Sequence, residues 1–129
     1  MDIHEIQIDD YVMFDGSVYQ IEEISKKRWV HLAQDGNRVS LSSDYILSCL
    51  EGVHLTKEIL KSNGFYEERN VGYVYDDEGC EVVVDLWNNN IRVLYNRDII
   101  INLYEAFNLH VHKLQQVLRL AGIEKEILI

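Results

Sequence analysis

The chain has 129 residues, of which 47% are hydrophobic, enough apolar side chain to build one domain or two small lobes sharing a core. This composition excludes the disordered and fibrous classes of protein. The 12 Lys and Arg residues against 22 Asp and Glu residues give a net charge of −10. That sign is wrong for neutralising phosphates, which disfavours duplex nucleic acid as a partner.

The sequence also gives expectations about the cellular location of the protein and the redox state of its two cysteines. It has no apolar run of the length that a membrane helix needs, and residues 1–10 alternate charged and aliphatic side chains instead of forming a signal-peptide core. We therefore expect a cytoplasmic protein with no membrane partner. Cys49 and Cys80 lie far apart and outside any metal-binding spacing, so we predict two reduced, buried thiols, with a disulfide as the alternative.

Residues 10–42 follow the two-residue periodicity of short antiparallel strands. Asp15-Gly16 and Asp35-Gly36 suit the positive φ angles of tight turns, so each pair predicts a hairpin. Four strands in this stretch favour a small antiparallel barrel, SH3-like in its strand count, because closure removes the exposed edges of a sheet rich in Val and Ile. Residues 42–45 are expected to form a helical turn.

A short helix is predicted over residues 56–63. The Thr56 hydroxyl can cap its first turn, Glu58 lies favourably at the positive end of its dipole, and Gly64 can end it in a left-handed conformation. A helix of this length is marginal alone, so it must pack against a sheet.

Residues 71–103 return to strand character. A polar turn at residues 76–79 precedes Cys80–Trp87, the most β-prone run in the chain, and Asn88-Asn89-Asn90 then turns the chain again. The pattern predicts a three-stranded antiparallel meander, with residues 98–103 as a candidate fourth strand.

The last helix is predicted over residues 108–121. Apolar side chains recur there at spacings of three and four, and Gly122 supplies the stop. Asn108 is the favoured N-cap, while Asn102 with Glu105 offers an alternative start. Residues 123–129 alternate apolar and charged side chains and are a candidate edge strand. The apolar stripe consists of Val111, Leu114, Val117, Leu118 and Ala121.

These elements predict an α+β fold. Residues 1–52 would form the small barrel, and residues 53–129 an antiparallel sheet packed on the C-terminal helix. We expect the two lobes to fold as one cooperative unit.

Three segments carry a resemblance to other proteins: residues 10–19, residues 111–122, and Leu55-Thr56-Lys57-Glu58-Ile59-Leu60 with Asn63-Gly64-Phe65. Together they resemble a family of short uncharacterised proteins common in anaerobic gut bacteria and in their phages and mobile elements. That family usually has a proline where this chain has His54. The resemblance spans about residues 8–127 and implies a mobile-element or accessory-genome origin, with no known activity and no catalytic residues to carry over.

Two clusters have the residue types of a metal site. His110 and His112 would point the same way on a strand and could share a zinc ion. In the predicted helix, however, residues two apart differ by about 200° around the axis, so we expect a structural role for His112 and no metal. Asp76-Asp77-Glu78 could collect a hard cation, but the calcium-loop pattern is absent and a solvated hairpin tip is predicted.

Signatures of catalysis and of phosphate binding are missing from the sequence. It has no Gly-x-Ser-x-Gly elbow, and the seven glycines are dispersed without phosphate-cradling spacing. The basic cluster Lys26-Lys27-Arg28 is interpreted as a solvated loop, because it is outweighed by the negative charge of the chain. We expect a protein that is not an enzyme and holds no cofactor.

Aromatic residues provide the main functional hypothesis. Eight Tyr and two Trp exceed what a minimal core needs, and both types are enriched at the centres of protein interfaces. Tyr11, Tyr19, Trp29 and Tyr45 fall in the predicted barrel, where grooves on related folds accept peptides. We therefore predict a non-enzymatic protein-binding module that uses these four residues, the alternative being that they pack the interior.

Two further function classes are kept as alternatives. An acidic inhibitor would mimic nucleic acid by presenting carboxylates where phosphates would lie, and it requires one dense negative face. A small metal-dependent or hydrolytic enzyme would require His110 or His112 to meet carboxylates in a cleft.

Overall fold

The computed structural model describes residues 1, 3–25, 29–42 and 49–129, which form two compact units, Met1–Val53 and His54–Ile129. Each unit contains one antiparallel sheet, and the second adds two helices, so the predicted α+β class is confirmed. Within the described ranges, no helix is both long enough and apolar enough to cross a membrane.

The sheet of the first unit has five strands in the order β4-β3-β2-β1-β5. A short 3-10 turn at Ile3–Glu5 precedes it. Both predicted hairpin turns are confirmed, since Asp15-Gly16 joins β1 to β2, Asp35-Gly36 joins β3 to β4, and all four residues have positive φ angles. The strands are β1 (Tyr11–Phe14), β2 (Ser17–Ile24), β3 (Trp29–Gln34), β4 (Asn37–Ser42) and β5 (Leu50–Gly52).

The predicted barrel closure is wrong for the part of this unit that the structure describes. The sheet is open there, with β4 and β5 as its edges. Closure requires the two edge strands to pair with each other along their length, whereas β5 has three residues and all three pair with β1. The unit instead buries one face of an open sheet, and its likeness to SH3 folds stays a prediction. The buried core consists of Ile6, Val12, Ile21, Val30, Leu32, Leu41 and Leu50.

Some predictions fall outside the described residues. These are most of the helical turn at residues 42–45, including Tyr45, and the basic cluster at residues 26–28.

The second unit opens with the predicted short helix, α1 (Lys57–Ser62). The backbone N–H of Ile59 donates to the Thr56 hydroxyl at 3.2 Å, which confirms the predicted cap. Gly64 follows with φ +87°, as its predicted left-handed role requires.

Five strands build the second sheet, in the order β10-β9-β8-β7-β6. Residues 98–103 belong to a fourth meander strand, as predicted, with a bulge between Ile99 and Ile101. The edge strand β6 was not predicted, because its three residues are all exposed and show no alternation. The strands are β6 (Tyr66–Glu68), β7 (Gly72–Asp77), β8 (Cys80–Asp85), β9 (Asn90–Tyr95) and β10 (Asp98–Tyr104).

The C-terminal helix α2 (Val111–Leu120) is shorter than predicted and begins at a different residue. His110, in an extended conformation, is the N-cap, and it makes no side-chain cap hydrogen bond. The predicted Asn108 cap is therefore wrong. Four members of the predicted apolar stripe are buried, and Gly122 has φ +72°, which confirms the stripe and the stop.

The C-terminal residues 123–129 form no strand, so the predicted edge strand is wrong. Ile123 and Ile127 are nevertheless buried, which accounts for the alternation seen in the sequence. Cys49 and Cys80 are both thiols, as predicted, but each is half-buried and not buried.

Candidate functional site

Of the four predicted aromatic residues, the three that the structure describes, Tyr11, Tyr19 and Trp29, are not gathered into one patch. Val12 is fully buried and lies directly opposite Tyr19 across the β1–β2 pair, so Tyr19 is on the core side of the sheet. There it packs edge-to-face on Phe14, with ring centroids 6.0 Å apart. Tyr11 precedes Val12 and is therefore on the opposite face.

Trp29 shares the outer face with Tyr11 but lies far from it. Its indole is 45% exposed at the start of β3, next to the buried Val30. Across the sheet, Tyr11 pairs with Gln20 and Gln20 with Ala33, which is about 13 Å along β3 from Trp29. The predicted role of these residues in binding a partner stays a prediction.

A concave surface lies in the second unit. A groove of about 830 Å³ opens where the β6–β7 and β8–β9 connections come together at one end of the sheet. It is lined by Lys57 of α1 and by residues 67–73 and 85–88. All of these residues belong to the second unit.

Trp87 projects from the β8–β9 connection with its side chain 92% exposed. The turn beneath it is fixed by Asp85, whose carboxylate accepts hydrogen bonds from the backbone N–H groups of Trp87 at 3.0 Å and Asn88 at 3.1 Å. The Asn88 side-chain amide donates to the same carboxylate at 2.8 Å. β8 therefore ends at Asp85, and the strand run predicted to reach Trp87 is two residues too long.

Gly72 brings the two walls of the groove together. A Cβ atom at this position would lie 2.5 Å from the carbonyl oxygen of Val84, and the φ angle of +130° is one that L-residues rarely adopt. Because residue 72 has no side chain, the start of β7 can lie directly against β8. The connection 69–71 is thereby placed beside residues 85–88.

Some charged side chains in the groove have a partner in the described part of the protein and others do not. Glu67 pairs with Lys61 at 3.7 Å, and Asp85 is occupied by the turn. Lys57 and Arg69 are exposed, and among the described residues neither forms an ion pair or a side-chain hydrogen bond. Glu68 adds one exposed carboxylate to the lining.

Aromatic, charged and amide side chains line the groove. Its described lining holds an indole, the Tyr73 phenol, cationic and carboxylate groups and two Asn amides, but no His, Cys, Ser or Thr. A nucleophile paired with a His base cannot be assembled from this set. Trp, Tyr and Arg are the residue types most enriched among the energetic centres of protein interfaces.

Sequence reasoning missed this groove. Trp87 was assigned to the end of a strand, although it immediately precedes three Asn residues and follows Asp85 by two positions. Asp two residues before a turn amide is the pattern of an Asx turn, which would have placed the indole at a solvated hairpin end. Arg69 and Lys57 carry no local signal, because only the tertiary structure brings them beside Trp87.

The three histidines of the second unit lie together elsewhere. His54 and His110 face each other in an isolated antiparallel bridge, with ring centroids 5.3 Å apart. The rings of His110 and His112 are 5.7 Å apart and nearly parallel. The prediction that residues 110 and 112 diverge is wrong, because His110 is the extended cap and not a helical residue.

His112 is only 2% exposed, and neither of its ring nitrogens has a hydrogen-bond partner. Burial, together with the positive charge of Lys113 and the neighbouring His110, lowers the pKa of His112 to about 4. Burial and His54 also lower the pKa of His110, against the opposing effect of Glu105. Glu105 itself pairs with Lys113 at 3.9 Å. No three His, Cys, Asp or Glu residues in the described ranges are arranged to hold a metal ion.

The acidic segment 76–78 lies at the β7–β8 turn, where Glu78 and Gly79 have φ angles of 43° and 88°. The Tyr66 hydroxyl donates to the Asp76 carboxylate at 2.8 Å, and this hydrogen bond raises the pKa of Tyr66 to about 12. Asp76 thus serves a cross-strand contact at the hairpin end.

The groove around Trp87 is the surface from which a function can be inferred. Comparison supplies no other guide, since no protein-family model, curated protein or solved structure matches the chain.

Proposed function

We propose that this protein is a non-enzymatic module that binds a partner protein through the groove around Trp87. The observation that carries the proposal is the indole of Trp87, 92% exposed on a turn that three hydrogen bonds to Asp85 hold in place. A large aromatic side chain presented on a preorganised turn loses little conformational entropy when a partner covers it.

The size of the expected contact supports a binding role. Covering a Trp side chain removes on the order of 200 Å² from water, a gross gain of about 5 kcal/mol at about 25 cal/mol per Å². Truncation of such a residue in an interface commonly weakens binding by 2 kcal/mol or more. Arg69 and Tyr73 in the same groove are of the residue types that accompany such centres.

The proposal is tested by quantitative affinity capture with the full-length wild-type chain and its Trp87→Ala variant. We expect one or more proteins to be retained by the wild type and depleted at least tenfold with Trp87→Ala. Trp29→Ala is the matched control, because Trp29 is the other tryptophan of the chain and lies in the first unit, so its removal leaves the groove intact.

Circular dichroism of each variant establishes that it is folded before capture is compared. Retention of the same proteins by the wild type and by Trp87→Ala would overturn the proposal. So would the loss of the same proteins from both Trp variants, or the retention of none by the wild type.

A further inference from the structure

We infer that two copies of this chain associate by pairing their β10 strands (Asp98–Tyr104) antiparallel, edge to edge. β10 is the last strand of the second sheet, and no strand of the described residues pairs with its outer side. This edge is a different surface from the groove around Trp87, since none of the residues that line the groove belongs to β10.

The composition of β10 leaves its edge open to another strand. Proteins commonly protect an exposed edge by keeping the strand short or by placing charge on it. The edge strands β5 and β6 have three residues each, and the edge strand β4 carries Arg38. β10 has seven residues, and the six from Ile99 to Tyr104 include no charged side chain. A bulge bends the beginning of β10, but the stretch from Ile101 to Tyr104 is regular.

The hydrogen bonding of β10 shows which backbone groups its outer side offers. The N–H of Glu105 donates to the Asn89 carbonyl oxygen at 3.0 Å, so residue 105 is directed toward the β9 side. Successive residues of an antiparallel strand direct their N–H and C=O groups alternately toward and away from one neighbour. Asn102 and Tyr104 therefore direct theirs away from β9, and they offer two donors and two acceptors to a further strand.

An identical strand satisfies these groups by symmetry. When two β10 strands lie antiparallel about a twofold axis at Leu103, Asn102 of each copy is opposite Tyr104 of the other. The two pairs then form four backbone hydrogen bonds, and the two Leu103 side chains lie directly opposite each other. The two five-stranded sheets become one continuous sheet of ten strands.

Exposed apolar side chains accompany this edge. Ile99 and Ile100 are each 53% exposed, Tyr104 is 67% exposed, and Phe107, which follows the strand, is 83% exposed. With about 200 Å² for a fully exposed side chain of this size, they present on the order of 500 Å² per copy. A standard interface buries about 800 Å² per partner, so the edge approaches the area of a stable dimer once the strand backbone is included.

The charge of the chain is compatible with this contact. Each copy carries a net charge of −10, so two copies repel each other, but this repulsion is screened over about 8 Å at physiological ionic strength. The antiparallel arrangement places the Asp98 residues of the two copies at opposite ends of the pair, roughly 30 Å apart. Glu105, the first carboxylate after the strand, pairs with Lys113 at 3.9 Å.

Sedimentation equilibrium of the full-length chain, from about 1 μM to about 1 mM, measures the association. We expect the mass to rise to that of two chains. Ile99→Lys should weaken the dimer at least about tenfold, because it places a charge beside the edge. Leu120→Lys is the matched control, because it introduces the same side chain at a 76% exposed residue of α2 and should leave the dissociation constant unchanged.

Tyr104→Pro tests the backbone contact. Proline removes an N–H that is directed away from β9, so the pairing of β10 with β9 is retained while the edge loses a donor. We expect this variant to be monomeric, and circular dichroism establishes that it is folded. In the wild-type dimer, the amides of Asn102 and Tyr104 should exchange with solvent at least about tenfold more slowly than in Ile99→Lys.

A chain that stays monomeric at about 1 mM would overturn the inference and leave the proposed role of Trp87 standing. A dimer that Ile99→Lys leaves intact would use another surface and would overturn it as well. So would rapid exchange of the Asn102 and Tyr104 amides in the dimer. If these amides become protected only when a partner captured through Trp87 is added to the monomer, a foreign strand occupies the edge and the pairing of two copies is wrong.

Discussion

The side chain of Asn63 and the backbone of Leu128 hold each other by two reciprocal hydrogen bonds, both 2.8 Å long. The Leu128 N–H donates to Asn63 Oδ1, and Asn63 Nδ2 donates to the Leu128 carbonyl oxygen, so the amide imitates a paired strand. Asn63 is also the C-cap residue of α1, and its Nδ2 donates to the Ile59 carbonyl at 2.7 Å. A single buried side chain thus attaches the C-terminal segment to the end of the first helix.

Replacing Asn63 with Ala should destabilise the protein by about 2 kcal/mol, because three hydrogen bonds to a buried amide are lost together. The segment 123–129 should also detach more readily. Urea unfolding measures the first effect, and the rate of tryptic cleavage after Lys125 measures the second. Asn108→Ala is the control, since Asn108 is exposed. Equal cleavage rates in wild type and Asn63→Ala would contradict the proposed attachment.

Gly72→Ala should be strongly destabilising, by about 3 kcal/mol. The new Cβ atom would meet the Val84 carbonyl oxygen at 2.5 Å, and the φ angle of +130° is strained for alanine as well. Gly16→Ala provides the comparison, because its φ of +76° is also positive but lies closer to the left-handed region that alanine can adopt, and no atom lies within 4 Å of the added Cβ. We expect it to lose about 1 kcal/mol in the same urea unfolding experiment. Equal losses would show that neither the contact with Val84 nor the more extreme φ angle of residue 72 adds to the cost.

Asp85→Ala should loosen the turn that presents Trp87. The backbone amides of Trp87 and Asn88 lose their acceptor, so the order parameter of the Trp87 amide should fall in ¹⁵N relaxation measurements. Capture of a Trp87-dependent partner should weaken with it. Asp85→Asn should restore much of the order, because its side-chain oxygen can still accept both backbone bonds. An unchanged order parameter in Asp85→Ala would mean that other contacts fix the turn.

The buried His112 predicts a specific loss of stability in acid. Its pKa is about 4 in the folded protein and 6.5 in the unfolded chain, so the unfolded state binds the proton more tightly. His112 therefore leaves the free energy of unfolding at its full value above pH 6.5, and this free energy decreases as the pH falls from 6.5 to 4. The difference of pKa corresponds to about 3 kcal/mol. Denaturant unfolding followed by circular dichroism at pH 7, 5.5 and 4 measures it.

His112→Leu should remove this part of the pH dependence, because leucine has no charged form and its volume suits a buried site. His31→Gln, which alters a half-buried histidine of the first unit, should leave the dependence in place. If His112→Leu loses as much stability between pH 7 and 4 as the wild type does, His112 is not the responsible group.

Local patterns predicted local structure well. The Asp-Gly turns, the Thr56 cap and the buried stripe of α2 each depend on interactions between residues a few positions apart. The errors lie where distant residues compete with a local preference. Asn108 is a good capping residue, yet the helix begins after His110, which is held in an extended bridge with His54.

The candidate groove, too, could be predicted from the sequence only in its local features. The exposure of Trp87 could have been read from the Asp and Asn residues around it, since their turn geometry is local. The sequence does not predict that Lys57, Arg69 and Trp87 line the same groove, because these residues belong to α1 and to two separate connections. Their approach depends on the close contact of Gly72 with β8.

The α+β composition, the hairpins and the buried helix face could be predicted from local sequence patterns, because backbone conformation and hydrophobic periodicity act over a few residues. Three features emerged only in the folded protein: the first sheet is open in the part that the structure describes, the C-terminal segment is attached to Asn63, and Lys57, Arg69 and Trp87 line one groove. These outcomes depend on strand pairing and packing between residues far apart in the chain, for which a local pattern carries no signal.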